Sequence, residues 1–197
     1  MIKRLFDIIF SFFGLILVSP LLLFLAVLIK LDSKGPVFYR GKRVGKDGKE
    51  FRIFKFRSMV PDAEKLGGPS TSADDFRLTK FGKFLRKHKL DELPQLINVL
   101  KGEMSFVGPR PEVPSEVQTY DEETKKIILS IKPGMSDLAS LADLREEEIL
   151  RGSKDPHQTY RELIKPQKLK LAVEYVKSRS FWLDLKIILK TLKAVIF

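Results

Sequence analysis

Residues 8–29 read IIFSFFGLILVSPLLLFLAVLI, a run without a single charge. As a straight helix it would rise about 33 Å, enough to cross a bilayer core of about 30 Å. A cleaved leader is disfavoured, because the run is too long and no small-residue cleavage site follows it. Two features oppose a simple span. Ser19-Pro20 falls near the centre, where proline removes a backbone donor and kinks a helix. Lys3 and Arg4 precede the run and Lys30 and Lys34 follow it, so the positive-inside rule draws both flanks to the cytoplasmic side. A re-entrant helix broken at Ser19-Pro20 satisfies both observations, and a kinked span is the competing reading.

The chain of 197 residues has room for this membrane segment, residues 1–31, and one cytoplasmic domain, residues 32–197. It has no cysteine, which excludes a thiol nucleophile, a disulfide framework and a thiolate metal site. Two histidines, His88 and His157, are too few for a multi-histidine zinc site. Any metal would be a hard cation held by carboxylates and phosphates, which points to Mg²⁺. The net charge of +11 is unevenly placed. Residues 30–57 hold ten Lys/Arg against Asp32, Asp47 and Glu50, and residues 77–89 hold six against no acid. Such windows attract polyanions: nucleic acid, anionic lipid or phosphorylated substrates.

Past the turn at Gly35-Pro36, residues 37–44 and 51–56 read as a hairpin joined through Gly45-Lys46-Asp47-Gly48. Alternation places Lys55 and Arg57 on one face and Phe54 and Phe56 on the other. Residues 67–72 form a loop, expected to be mobile. Thr79 caps a helix through about Lys87 with Phe81, Phe84 and Leu85 inward. A second short helix starts at Pro94 and ends before Gly102. Residues 112–130 look helical with an acidic surface. Two amphipathic helices close the chain, one around Leu169, Val173 and Val176. The other carries Trp182, Leu185, Ile188, Leu189, Leu192, Val195 and Ile196, a stripe that suits either a core face or a membrane interface. The pattern is α+β, membrane-associated and helix-rich.

The most informative stretch is LDELPQLINVLKGEMSFVGPRP at 90–111, with KFRSM at 55–59, RLTKFGKFLRK at 77–87 and KPGM at 132–135. Together they resemble the signature of the bacterial sugar transferases known as monotopic phosphoglycosyl transferases, in their minimal catalytic form. The resemblance covers essentially the whole chain, Ser-Pro break included. It implies a re-entrant helix holding a catalytic domain on the cytoplasmic face of the inner membrane. It also implies a ping-pong reaction assisted by Mg²⁺. An aspartate attacks the β-phosphate of a UDP-sugar, UMP leaves, and polyprenyl phosphate takes the phosphosugar. The other partners it implies are inner-membrane lipids and downstream glycosyltransferases.

By motif position the resemblance makes Asp91 the nucleophile and Glu92 its partner, the pair also serving as metal ligands. A helix N-terminus after them would favour ionised carboxylates and a diphosphate. Glu92 is open to two roles, positioning Mg²⁺ or taking a proton from the acceptor. Arg86 is the leading phosphate ligand, with Lys55 and Arg57 next. Arg110, between two prolines, can hold a fixed guanidinium against phosphate or uracil. Residues 135–148 depart from the commoner family pattern in a region expected to touch the sugar or nucleoside. A nucleic-acid binder would need a recognition motif or stacking aromatics, and neither is present. A non-catalytic membrane anchor of a glycan-assembly complex is the alternative, opposed by the intact Asp91-Glu92 pair.

Overall fold

The computed structural model describes residues 2–68, 70–72, 74–141 and 149–196. Helix α1 (Ile2–Asp32) leads into strands β1 (Phe38–Tyr39), β2 (Lys42–Val44), β3 (Glu50–Arg52) and β4 (Lys55–Phe56). Helices α2 (Ala63–Leu66) and α3 (Lys80–Lys87), a 3-10 turn (Leu90–Gln95), α4 (Leu96–Lys101) and β5 (Ser105–Val107) follow. Then come α5 (Pro114–Val117), α6 (Glu122–Ile128), β6 (Gly134–Ser136), α7 (Leu138–Leu141), α8 (Pro156–Thr159), a π turn (Tyr160–Ile164), α9 (Lys165–Ser178) and α10 (Phe181–Ile196). The architecture is α+β and mostly helical.

The expected break in α1 is no interruption of the helix. Helical structure runs through Pro20. Proline leaves the Ile16 carbonyl without its usual donor, and the Ser19 hydroxyl donates to it at 2.8 Å. One stripe of α1 packs on the body along its length: Asp7, Ser11, Leu25 and Ile29 are buried, and Gly14, Val18 and Leu22 are half-buried. The first two turns dock through polar groups. Lys3 Nζ donates to the Val107 carbonyl at 3.0 Å and pairs with Asp184. Arg4 donates to the carbonyls of Val99 and Leu100, and Asp7 accepts from Ser105 Oγ and the Phe106 amide. The last two turns dock through apolar contact, with Leu25 and Ile29 against Phe56 and Leu85. The opposite face is bare and apolar: Phe13, Leu17, Leu23 and Leu31 are more than three-fifths exposed.

The hairpin forms as the sequence indicates. Phe38 pairs with Phe56 and Tyr39 with Lys55, and the same register resumes at Lys42–Arg52 and ends at Val44–Glu50. The Ile53 amide donates to the Gly41 carbonyl between the two ladders, so β1–β2 and β3–β4 form one twisted ribbon. Two glycines join distant motif segments. A Cβ on Gly82 would lie 1.9 Å from the Ser58 carbonyl oxygen, so only glycine lets α3 sit this close to the segment after β4. A Cβ on Gly134 would lie 2.1 Å from the Gly108 nitrogen, where β6 runs parallel to β5.

Thr79 caps α3 as expected, its hydroxyl accepting from the Gly82 amide, and Leu85 is buried. Phe84 is a correction. It is 46 % exposed, because Phe81 stacks against it along the helix while the core admits Leu85 instead. The acidic surface read over 112–130 is also corrected in part. Glu116 is buried and is held by Arg161 and Lys165, which fastens α5 to the start of α9. The loop at 67–72 is tied by Arg77, which donates to the carbonyls of Gly68 and Ser70 and pairs with Asp75. In α10 the packed side is Asp184 and Ile187, and the stripe itself is divided: Leu185 and Ile188 are half-buried, with Ile188 against the core, whereas Trp182, Leu189 and Leu192 are exposed.

Candidate active site

Four segments bring charge together at one place. Asp91 and Glu92 lie inside the 3-10 turn, not ahead of a regular helix, and Pro94 sits in the same turn. Lys89 enters the turn in the left-handed region, φ 53°, which swings the chain sharply out of α3. Asn98, buried at the start of α4, locks the unit to the ribbon: its Oδ1 accepts from the Phe54 amide and its Nδ2 donates to the Arg52 carbonyl. Asn98 lies within the 90–111 stretch but is given no role of its own there, since an asparagine in a helix reads as surface until its partners are known.

Glu92 Oε1 receives both Lys55 Nζ at 2.6 Å and Arg110 NH2 at 2.8 Å. Lys55 arrives from β4. Arg110 arrives from the loop after β5, which is pinned where the Gly134 amide donates to the Pro109 carbonyl. Burial raises the Glu92 carboxyl, but the charges and hydrogen bonds of Arg110 and Lys55 outweigh it and hold the group well below the ordinary range. Asp91 behaves oppositely. Burial raises it above its ordinary value, the neighbouring Glu92 charge adds to the rise, and Lys55, Arg86 and Arg110 only partly oppose. The pair is thus split into a firmly ionised partner and a more basic neighbour, the separation used to divide roles between adjacent carboxylates. Arg86, on the last turn of α3, is half-buried and acts on both Asp91 and Asp75.

Arg57 lies elsewhere. The strand ends at Phe56, so alternation does not carry Arg57 to the face of Lys55. Its guanidinium donates to the Pro36 carbonyl, Ser33 Oγ and the Ser33 carbonyl, closing the C-terminal end of α1. With its donors spent and 7 % of its surface exposed, it holds structure and not a phosphate. Ser19 and Pro20 sit exposed in the middle of α1, away from the carboxylates. His157 is held by Ser70 and lies 3.2 Å from Glu116. Residues 142–148, part of the segment that departs from the family pattern, lie outside the described residues. Among the described residues no three His, Asp or Glu side chains converge as a metal cage.

Fold and site together define an α+β chain with one long apolar helix and a carboxylate pair set among three cations. The chain belongs to the bacterial sugar transferase family, whose model matches residues 1–197. It is 40% identical to the UDP-N-acetylgalactosamine-undecaprenyl-phosphate N-acetylgalactosaminephosphotransferase of Aeromonas hydrophila, over 99% of this chain and 44% of that protein. It is 42% identical to the UDP-glucose:undecaprenyl-phosphate glucose-1-phosphate transferase of Klebsiella pneumoniae, over 96% of this chain and 39% of that protein. It is 37% identical to the undecaprenyl-phosphate galactose phosphotransferase of Salmonella typhimurium, over 99% of this chain and 40% of that protein. The chain spans about two fifths of the length of these relatives.

Proposed function

We propose that this chain is a phosphoglycosyl transferase that moves a sugar 1-phosphate from a UDP-sugar to polyprenyl phosphate and releases UMP. The observation that carries the reading is Glu92 clamped between Lys55 and Arg110 with the more basic Asp91 beside it. Asp91 attacks the β-phosphorus of the donor. The bond from that phosphorus to the bridging oxygen breaks, and UMP leaves with the electron pair. An oxygen of the lipid phosphate then attacks the phosphorus of the aspartyl intermediate, and the Asp91 carboxylate is released. Lys55, Arg86 and Arg110 neutralise charge as it gathers on the phosphate oxygens.

The donor set fits magnesium in type: hard carboxylate oxygens, too few to cage the ion, so that substrate phosphates complete the shell. Asp91 and Glu92 would hold Mg²⁺, which when bound polarises the diphosphate and eases departure of UMP.

The packing of α1 supports attachment to the membrane from one side, which the re-entrant reading requires, over a span. A helix of roughly 46 Å whose two ends both dock on one folded body cannot carry that body to one side while crossing a bilayer. Its bare apolar face would sink into the lipid, with the catalytic domain on the cytoplasmic face of the membrane.

The deciding experiment is incubation with a panel of UDP-sugars, Mg²⁺ and undecaprenyl phosphate, with UMP as the readout. UMP release from one donor is expected. Without acceptor, about one equivalent should appear, together with a phosphosugar adduct on Asp91 in the intact mass. Silence with every donor would leave the non-catalytic anchor as the better account.

A further inference from the structure

Arg40 is set apart from the guanidiniums around it. Arg4, Arg57, Arg77 and Arg110 spend donors on carbonyls or carboxylates. Arg40 is half-buried, forms no hydrogen bond or ion pair with a described residue, and keeps its Nε buried without an acceptor. Its plane is nonetheless fixed, because the guanidinium carbon lies 3.4 Å from the centroid of the Phe54 ring. The ribbon's register puts the two residues opposite each other. A stacked guanidinium with its fork unspent is the form in which arginine recognises phosphate. Folds rarely leave a buried donor in this condition without a use for it.

The face that carries Arg40 says what accompanies the phosphate. Phe38, Arg40, Phe54 and Phe56 alternate along the paired strands and share one face. Phe38 stacks on Phe56 at 5.5 Å and meets Phe54 edge-on at 6.0 Å. Phe56 packs against Leu25 and Ile29, in the last turns of α1. Phe38, 37 % exposed, extends this apolar surface towards the guanidinium. Lys55 takes the opposite face to reach Glu92, so Arg40 stands apart from the carboxylate pair.

The geometry points to Arg40, shelved on Phe54, as a binding site for the phosphate of a membrane lipid, with Phe38 and the end of α1 against the first apolar segment of its tail. The assignment rests on the membrane placement of α1 proposed above. Two lipids offer this chemistry: the anionic phospholipid of the surrounding bilayer, and polyprenyl phosphate held ahead of its move to the carboxylate pair.

The test uses the full chain in detergent micelles and in nanodiscs. One arm titrates undecaprenyl phosphate against undecaprenol, which has the tail without the phosphate. The other exchanges phosphatidylglycerol for phosphatidylcholine. Thermal stabilisation is read in both arms. The native chain is expected to prefer the phosphorylated or anionic lipid in at least one arm. Arg40→Gln is expected to weaken that preference by at least about tenfold in half-saturating concentration, the loss of a charge-assisted contact. The arm that loses its preference names the source. Preference undiminished in Arg40→Gln, or absent from the native chain in both arms, overturns the assignment. If Arg40→Gln does not fold, Phe54→Leu removes the shelf while keeping the charge, and an unchanged preference there overturns it equally. UMP release without acceptor is measured alongside. A native chain that prefers lipid phosphate but releases no UMP upholds this site while sinking the proposed reaction.

Discussion

Two charged clusters in this molecule use the same residue types to opposite ends. At the start of α1, Lys3 and Arg4 stand against Asp7 and Asp184, and each is satisfied by a carboxylate, carbonyl, hydroxyl or amide of the body. At the candidate active site, Lys55, Arg86 and Arg110 come from three separate segments to surround Asp91 and Glu92, and burial pushes Asp91 up against their pull. The first cluster is balanced and fastens the fold. The second holds a buried Asp91, its pKa raised, beside an ionised Glu92 with cations converging from three segments, as expected where a site is tuned for an anionic ligand. The neighbours that packing supplies, more than residue type, separate an anchor from a candidate reaction centre.

The largest effect expected is on turnover. Asp91→Asn should lower the rate by at least about 10³-fold, some 4 kcal/mol in barrier, through loss of the attacking oxygen. Its melting temperature should be no lower than that of the native chain, since the substitution removes a carboxylate whose charge burial disfavours. UMP release and a thermal melt measured side by side check both halves. A variant retaining a tenth of the native rate would remove Asp91 from the covalent step.

Asp184→Ala should show the reverse pattern, with a stability loss of about 1–3 kcal/mol, moderated because Lys3 is partly exposed. Denaturant melts would report it. If Asp184→Ala instead left stability intact and removed activity, the contrast between the clusters would collapse.

A smaller, sharper effect concerns pH. In the proposed reaction Asp91 must be ionised to attack, so activity should fall as pH drops through its raised pKa. Lys55 pulls that pKa down. Lys55→Met should therefore move the acid limb of the donor half-reaction to higher pH, and a shift to lower pH would contradict the assigned field.

The mildest change expected is at the membrane. Cysteines at Ile2 and Lys34, clean probes in a chain with none, should both label from the cytoplasmic side only. Ser19→Ala with Pro20→Leu should weaken activity less than Asp91→Asn, because α1 already runs through Pro20 and is held at both ends. Periplasmic labelling at Ile2 in the native sequence would make α1 a span.

Much of this was legible in the chain. The hairpin followed from alternation around Gly45–Gly48, and the Thr79 cap from its spacing. Asp91 and Glu92, read from motif position, and the ligand candidates Lys55, Arg86 and Arg110 do converge. Other readings failed where a local rule ended one residue too soon. Arg57 was assigned by alternation, and the strand stops at Phe56. In α10 only the apolar stripe was legible, and Asp184, passed over in sequence, is buried against Tyr175 and Lys3.

The sequence alone determined the apolar length of α1, its paired basic flanks, the ribbon and the catalytic vocabulary, because these depend on residues a few positions apart. The tertiary structure decided which charges are spent and which are not. Asp7 meets Ser105, Lys3 meets Asp184 and Arg57 closes α1, whereas Arg40 has only a ring beneath it. Electrostatic and hydrogen-bond energies depend on separation in space and on exclusion of water. Only the folded chain fixes either, so a lysine or arginine in the sequence is a charge whose task is assigned by the partner that packing brings to it.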